Sequence, residues 1–334
     1  MVYINGVSYY LPKKILTNQD LSNEHPEWNP EKISSKTGIY SRHIADEDEF
    51  AADMAVEASN LLFKEYGIDK NKIDFVLYCT QSPDYFLPTT ACIIQNQLGI
   101  PTTSGALDFN LGCSGYVYGL TLAKGLIMGN IAKNVLLITS ETYSKYINRL
   151  DKSNKTIFGD AASATLISKE PGLYQIKEFS LGTNGEGAEN LIVKNKGVRY
   201  RDKVGDDIFD KEGIFVRNDS NLYMNGGEIF SFTNRSVPVL VEDTLQKNSL
   251  SLEEVDYFLF HQANKFMLEH IRKKIKIPQE KFIYYLENVG NTVSSTIPIA
   301  LKEGCINKNK FGKILLAGFG VGYSYAGCII EEVK

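Results

Sequence analysis

The chain has 334 residues, 43% hydrophobic and 23% charged, with a net charge of −4 and a pI near 5.7. That length suits two domains or one large duplicated one, and the acidic balance argues against a nucleic-acid binder, which carries a basic patch. Five cysteines are scattered without a CxxC pair, which argues against a disulfide scaffold or a zinc site, and no apolar run reaches the roughly 18 residues that a membrane helix needs.

The opening MVYINGVSYYLPKK has no basic-then-apolar leader pattern, so a reducing cytoplasm is the expected setting. From Ile73 the chain reads IDFVLYCTQSP, a β-rich run of the buried-strand type. Asn110 to Ile127 reads NLGCSGYVYGLTLAKGLI, in which Cys113 stands at the mouth of a helix. That helix carries one charge, Lys124, between Ser114 and Gly129, and a helix apolar nearly all round is a buried one. NVLLITSET from Asn134 is a strand, and FGDAASATLI from Phe158 is a turn into another. Residues 184–225, rich in Gly, Asn, Asp and Lys, form a surface excursion with a small hairpin around GIFVR. VDYFLFHQAN from Val255 is again a buried strand, and GKILLAGFG from Gly312 another. GFGVGYSYA from Gly318 superficially resembles a nucleotide loop, but it runs into a strand rather than a helix and reads as a tight glycine hairpin.

These elements repeat. Asn110 and Asn288, Cys113 and Asn291, and Asn134 and Gly312 are each 178 residues apart. Three ordered landmarks at one offset indicate two copies of a strand–helix–strand unit, and the alternation favours parallel βαβ connections. The halves are residues 1–172, carrying Cys113, and 173–334, carrying His261 and Asn291. About a pseudo-twofold axis, Cys113 and Asn291 would occupy equivalent corners facing one central space.

Each candidate has a bland reading beside the chemical one. A free cysteine is commonly an inert core thiol. Cys113, however, follows Gly112 at a helix start, where exposed N–H groups and the positive dipole end favour a thiolate. His261 reads equally as a structural residue. It ends a strand, though, where open α/β sheets place their sites, and imidazole exchanges protons near neutral pH. Asn291 alone would be a turn residue, and its equivalence to Cys113 raises its interest.

The joint order of KTGIYSRHIADE, LPTTACIIQNQLGI, DFNLGCSGYVYGL, FGDAASA, HQAN, NVGNTVSSTIP and GFGVGYSYA resembles the thiolase-fold condensing enzymes, most closely the β-ketoacyl-acyl-carrier-protein synthase III family. The resemblance spans almost the whole chain. It implies an α/β fold, a five-layered αβαβα sandwich of two duplicated halves, as a homodimer. It implies an acyltransferase that joins an acyl primer to malonyl-acyl-carrier protein by decarboxylating Claisen condensation, in fatty-acid initiation or a specialised short-acyl pathway. The alternative is acyl transfer or thioester hydrolysis by the same cysteine without carbon–carbon bond formation.

By the same resemblance Cys113 is the nucleophile, His261 and Asn291 hold the malonyl thioester oxygen, and the N–H groups of Cys113 and Val321 form the oxyanion hole. Asn264 and Gly320 line the substrate site, and Leu87 shapes the partner subunit's acyl pocket where many relatives carry Phe. No metal, organic cofactor, nucleic acid or membrane is expected. A family tryptophan that stacks on the adenine of coenzyme A should precede Ile33, but Lys32 stands there, with Lys36 in the same motif and Trp28 four residues earlier. The second stacking residue, an arginine, is replaced in LDKSNKTIFGD, with Lys155 the nearest cation to that motif; lysine stacks poorly. The primer could therefore arrive on coenzyme A or on a carrier protein. Lys265, Arg272 and Lys273, on a basic segment that also holds Lys274 and Lys276, are either a solvated helix face or a docking surface for an acidic carrier.

Overall fold

A computed structural model describes residues 1–333. One sheet of nine strands runs through the molecule. In chain order these are β1 (Tyr3–Tyr10), β2 (Phe75–Cys79), β3 (Gly105–Phe109), β4 (Asn134–Glu141), β5 (Ala161–Ser168), β6 (Tyr174–Thr183), β7 (Tyr257–Phe260), β8 (Lys313–Gly320) and β9 (Ser324–Glu332). The helices that matter here are α1 (Asn18–Glu24), α2 (Pro30–Thr37), α3 (Ala51–Tyr66), α4 (Thr90–Leu98), α5 (Gly115–Met128), α6 (Gly226–Lys247), α7 (Lys265–Ile275) and α8 (Thr296–Gly304).

The spatial order is β7-β8-β9-β6-β1-β5-β4-β2-β3. Read outward from the centre, β1-β5-β4-β2 in the first half is matched by β6-β9-β8-β7 in the second. In both, the two inner pairings are antiparallel and the outermost pairing, β4 with β2 or β8 with β7, is parallel. β3 has only a remnant counterpart, an isolated parallel bridge between Phe258 and Phe282. The halves join where β1 and β6 pair antiparallel, Tyr3 opposite Gln175 and Ile4 opposite Tyr174.

Three apolar clusters separate the layers. α3 and α4 cover the first half through Met54, Leu62, Ile94 and Ile138. α6 and α7 cover the second through Val237, Leu240, Leu268 and Phe260. Between them α5 and α8 touch strands of both halves, packing Tyr116, Val117, Leu120 and Ile297 against Leu137, Leu259 and Leu316. The result is the αβαβα sandwich, and it explains the absence of charge on the first turns of α5, where Gly115, Tyr116, Val117, Gly119 and Leu120 are buried, whereas Leu122 and Met128 near its end are exposed. The excursion contains the expected hairpin, Ile208–Phe209 against Phe215–Arg217. No helix among the described residues is long and apolar enough to cross a membrane.

The middle layer should be the least tolerant of voids, because it is enclosed by sheet on both sides. Leu316→Ala, at a fully buried position, is expected to cost about 2–5 kcal/mol, read as a lowered denaturation midpoint with an unchanged m-value.

Candidate active site

Cys113, His261 and Asn291 line one cavity of about 290 Å³, with Gly320, Phe319 and Asn264. Cys113 is 6% exposed, His261 2% and Asn291 4%.

Cys113 comes first in chain order. It follows the end of β3 by a tight turn, with Gly115 N–H donating to Gly112 C=O at 2.8 Å. Helix α5 begins two residues later, after Ser114, whose hydroxyl does not cap the helix but meets the Ser324 hydroxyl at 2.6 Å. The sulfur faces the end of β8. A Cβ on Gly320 would lie 2.8 Å from both Cβ and Sγ of Cys113, and one on Gly318 would lie 2.7 Å from its carbonyl oxygen. Only glycine allows that approach, which is why GFG ends the strand. The N–H of Val321 and that of Cys113 itself both act on the sulfur, favouring its charged form.

The expectation of a helix-stabilised thiolate is corrected here. Burial pushes the Cys113 thiol up to about 12, and the two N–H groups offset this only in part. The cysteine therefore rests as a neutral thiol.

His261 directly follows β7 and donates its backbone N–H to Ala317 C=O at 2.8 Å, which fixes it against β8. Its Nδ1 lies 2.7 Å from the Thr296 hydroxyl, and Phe319 meets the ring edge-on with centroids 5.9 Å apart. Burial lowers its pKa to about 3, so the imidazole is neutral throughout the physiological range.

Asn291 sits after Gly290, whose φ of 70° and close neighbour Ile157 C=O require glycine. Its backbone is clamped by the FGD motif: Asn291 N–H donates to Ile157 C=O at 2.9 Å, and Gly159 N–H donates to Asn291 C=O at 3.0 Å. Asp160 anchors the motif in turn, accepting from the N–H groups of Ala45 and Ser144. The Asn291 Oδ1 accepts from Val293 N–H at 2.9 Å, leaving Nδ2 turned to the cavity, 3.5 Å from His261 Nε2. Val293 has φ 55°, a left-handed conformation that a β-branched residue adopts only under strain of about 1–3 kcal/mol.

Beneath this group the fully buried Glu141 joins the halves, accepting from Gln81 N–H at 3.0 Å, the Ser82 hydroxyl at 2.9 Å and the Ser294 hydroxyl at 3.1 Å. Burial pushes its carboxyl up to about 8. Gln81 also donates to Asn110 and accepts from Tyr143, forming a polar wall of a second, larger cavity of about 710 Å³ that opens beside Tyr85 and Phe86. Glu141, Thr296, Gln81 and Phe319 lie inside the stretches NVLLITSET, NVGNTVSSTIP, IDFVLYCTQSP and GFGVGYSYA, but nothing in those stretches singles them out as site residues; a buried acid at a strand end was the one available signal.

The remaining expected residues separate. Asn264 lines the cavity, but its Oδ1 accepts from Met267 N–H and caps α7. Leu87 is 82% exposed on the loop beside the larger cavity. Trp28 does not swing out to replace the missing stacking residue: it is buried with Leu21 and Ile33 and stacks on His25 at 4.0 Å. Lys152, not Lys155, lies over its ring at 5.6 Å, while Lys155 pairs with Glu24 at 2.6 Å. Lys32 and Lys36 are exposed on α2. On α7, Arg272 is 12% exposed and turned inward, donating to Glu269 and to Ile277 C=O, whereas Lys273 is 72% exposed. Arg272 thus fails as a docking cation, because its guanidinium already ties the end of its own helix. Among the described residues no cluster of His, Cys, Asp and Glu is placed to hold a metal ion.

A duplicated αβαβα sandwich with a cysteine, an imidazole and an amide around one enclosed cavity defines the thiolase-fold acyl-condensing enzymes. Residues 107–185 match the family described as 3-oxoacyl-[acyl-carrier-protein] synthase III, and residues 245–331 match its C-terminal part. The chain is 34% identical over 329 residues to the β-ketoacyl-[acyl-carrier-protein] synthase III of Clostridium perfringens, covering 98% of each. A solved 3-oxoacyl-(acyl-carrier-protein) synthase III superposes with a TM-score of 0.95 at 48% identity, covering 99% of each chain. The priming β-ketosynthase of the R1128 polyketide pathway superposes with a TM-score of 0.86 at 25% identity, over 99% of this chain and 96% of that one. The chain belongs to the 3-oxoacyl-[acyl-carrier-protein] synthase III family.

A raised thiol pKa and a lowered imidazole pKa have opposite visible consequences. Alkylation of Cys113 by iodoacetamide is expected to keep accelerating with pH, close to tenfold per unit, beyond the point near 8.5 where an ordinary thiol levels off. Condensation should show no inflection near 6.5 from His261. A plateau of the alkylation rate at pH 8–9 would contradict the first expectation.

Proposed function

We propose that the protein catalyses decarboxylating Claisen condensation of a Cys113-bound acyl primer with malonyl-acyl-carrier protein, giving a β-ketoacyl-carrier product. The single observation that carries this reading is the convergence of Cys113, His261 and Asn291, from three distant chain segments, on one cavity.

The Cys113 sulfur attacks the primer thioester, and the developing oxyanion is received by the N–H groups of Cys113 and Val321. Transfer of the thiol proton accompanies attack, since burial disfavours a free thiolate beforehand. The first carrier leaves as a thiol. Malonyl thioester then enters with its carbonyl oxygen between Asn291 Nδ2 and His261 Nε2. Its carboxylate leaves as CO₂, the electron pair moves into the enolate, and both neutral donors hold that oxygen. The enolate carbon attacks the acyl-cysteine, restoring the sulfur as the leaving group. A carboxylate at 291 would repel the enolate, and a charged imidazole is excluded by burial.

The primer's acyl end runs from Cys113 past the Gln81 wall into the larger cavity. The exposed Tyr85-Phe86-Leu87 loop beside that cavity supports a homodimer in which Leu87 of each copy closes the acyl pocket of the other. Lys265 and Lys273, exposed on α7, receive the acidic carrier. The buried Trp28 and the engaged Lys155 remove two adenine contacts, which favours a carrier-bound primer over coenzyme A. The reducing cytoplasm suits five free cysteines.

Cys113→Ala should abolish labelling by acyl thioesters, seen by intact mass. Asn291→Asp should lower release of labelled CO₂ from malonyl-carrier by about 10²–10³-fold while acylation of Cys113 changes far less. CO₂ release at the wild-type rate in that variant would refute the enolate role, and no release by the wild type would leave acyl transfer or hydrolysis as the activity. Lys273→Glu should raise the KM for malonyl-carrier several-fold with a weakened salt dependence, whereas Arg272→Ala should lower thermal stability.

A further inference from the structure

An imidazole that is neutral can present its Nε2 to substrate as a donor or as an acceptor, and only the donor form helps an enolate. Which form is present is set at the other nitrogen. Two groups lie on the Nδ1 side of the His261 ring. The Thr296 hydroxyl lies 2.7 Å away, and the Val293 carbonyl is the other backbone group acting on the ring. A carbonyl oxygen can only accept, so alone it would hold a proton on Nδ1 and aim the Nε2 lone pair at the cavity. A hydroxyl can donate. Thr296 is fully enclosed at the start of α8, and its oxygen is also 3.0 Å from Val293 C=O, so its one hydrogen has two possible destinations.

The neighbouring amide discriminates between them. Asn291 Oδ1 is occupied by Val293 N–H, so Nδ2, a donor, faces His261 Nε2. Were Nε2 an acceptor, these two nitrogens would close to the usual separation of about 2.9–3.0 Å. They stand 3.5 Å apart, beyond that separation, which leaves room for an acceptor atom between two donors. We propose that Thr296 is the positioning residue that selects the Nε2–H tautomer of His261, by donating its hydroxyl hydrogen to Nδ1, and so makes the imidazole a hydrogen-bond donor to the enolate oxygen. This rests on the enolate role proposed above for His261 and Asn291. Thr296 touches no substrate; it acts through the ring. Val293 serves both partners, its N–H orienting Asn291 and its carbonyl competing for the threonine hydrogen, which gives its strained backbone a purpose.

The test is the tautomer itself, read from the nitrogen-15 shifts of His261 in labelled wild-type protein at neutral pH, together with Thr296→Val and Thr296→Ser. The wild type and Thr296→Ser are expected to carry the proton on Nε2. Thr296→Val, which keeps the shape and loses the hydroxyl, is expected to carry it on Nδ1. Decarboxylation in Thr296→Val should fall by about 10²–10³-fold relative to acylation of Cys113, and Thr296→Ser should restore it. A wild-type proton on Nδ1 overturns the proposal even if the valine variant does not fold. So does an unchanged tautomer or an unchanged decarboxylation-to-acylation ratio in a folded Thr296→Val. His261→Ala is the control: if it retains decarboxylation, the enolate role itself fails; if it loses decarboxylation while Thr296→Val does not, only the tautomer assignment fails.

Discussion

The site depends on how closely two backbones can approach. The turn bearing Cys113 and the end of β8 lie so near each other that a single added carbon at Gly318 or Gly320 would meet the carbonyl or the sulfur. That contact crosses from the first half of the chain to the second. It places Val321 N–H at the sulfur and sets β8 beside β7, whose last hydrogen bond orients His261. The Asn291 turn is then fixed from the first half by the FGD segment. Each half holds the other's reacting groups, so neither contains a site alone.

Burial governs the electrostatics of everything so placed. The thiol, the imidazole and the carboxyl of Glu141 all have their neutral forms favoured by the same desolvation. An acyl-condensing site gains from this. Its intermediates carry transient negative charge on oxygen, and neutral N–H donors in a buried cavity stabilise such charge without drawing it into a permanent ion pair. Nucleophilicity must then come from proton transfer during attack and from the N–H groups at the sulfur, not from a stored thiolate.

Much of this was legible in the residues. The 178-residue spacing paired Cys113 with Asn291, and the structure puts both at strand-to-helix corners of matching halves. The lack of charge on Gly115–Met128 announced a buried helix, and the glycines of GFGVGYSYA a tight backbone turn. Motif and periodicity could not reveal burial-driven pKa values, because a helix start and a sealed pocket push a thiol in opposite directions and only coordinates show which prevails. Nor could they show that Arg272 folds back onto Glu269 and Ile277 while Lys273, reaching Glu269 only at 3.9 Å, stays exposed, since both belong to the same basic run. Trp28 stands only four residues before the expected stacking position, but the aliphatic residues beside it, Leu21 and Ile33, claim it for a small core of their own. Thr296 was hidden inside a run of hydroxyl residues, none distinguishable by type.

The antiparallel pairing of Tyr3 and Ile4 with Gln175 and Tyr174 makes the nine strands one fabric. A polypeptide severed between residues 172 and 173 would yield two fragments, each with β1 or β6 as an unprotected border of free amide groups. Such borders recruit any available strand, so the fragments would be as prone to pair with copies of themselves as with each other.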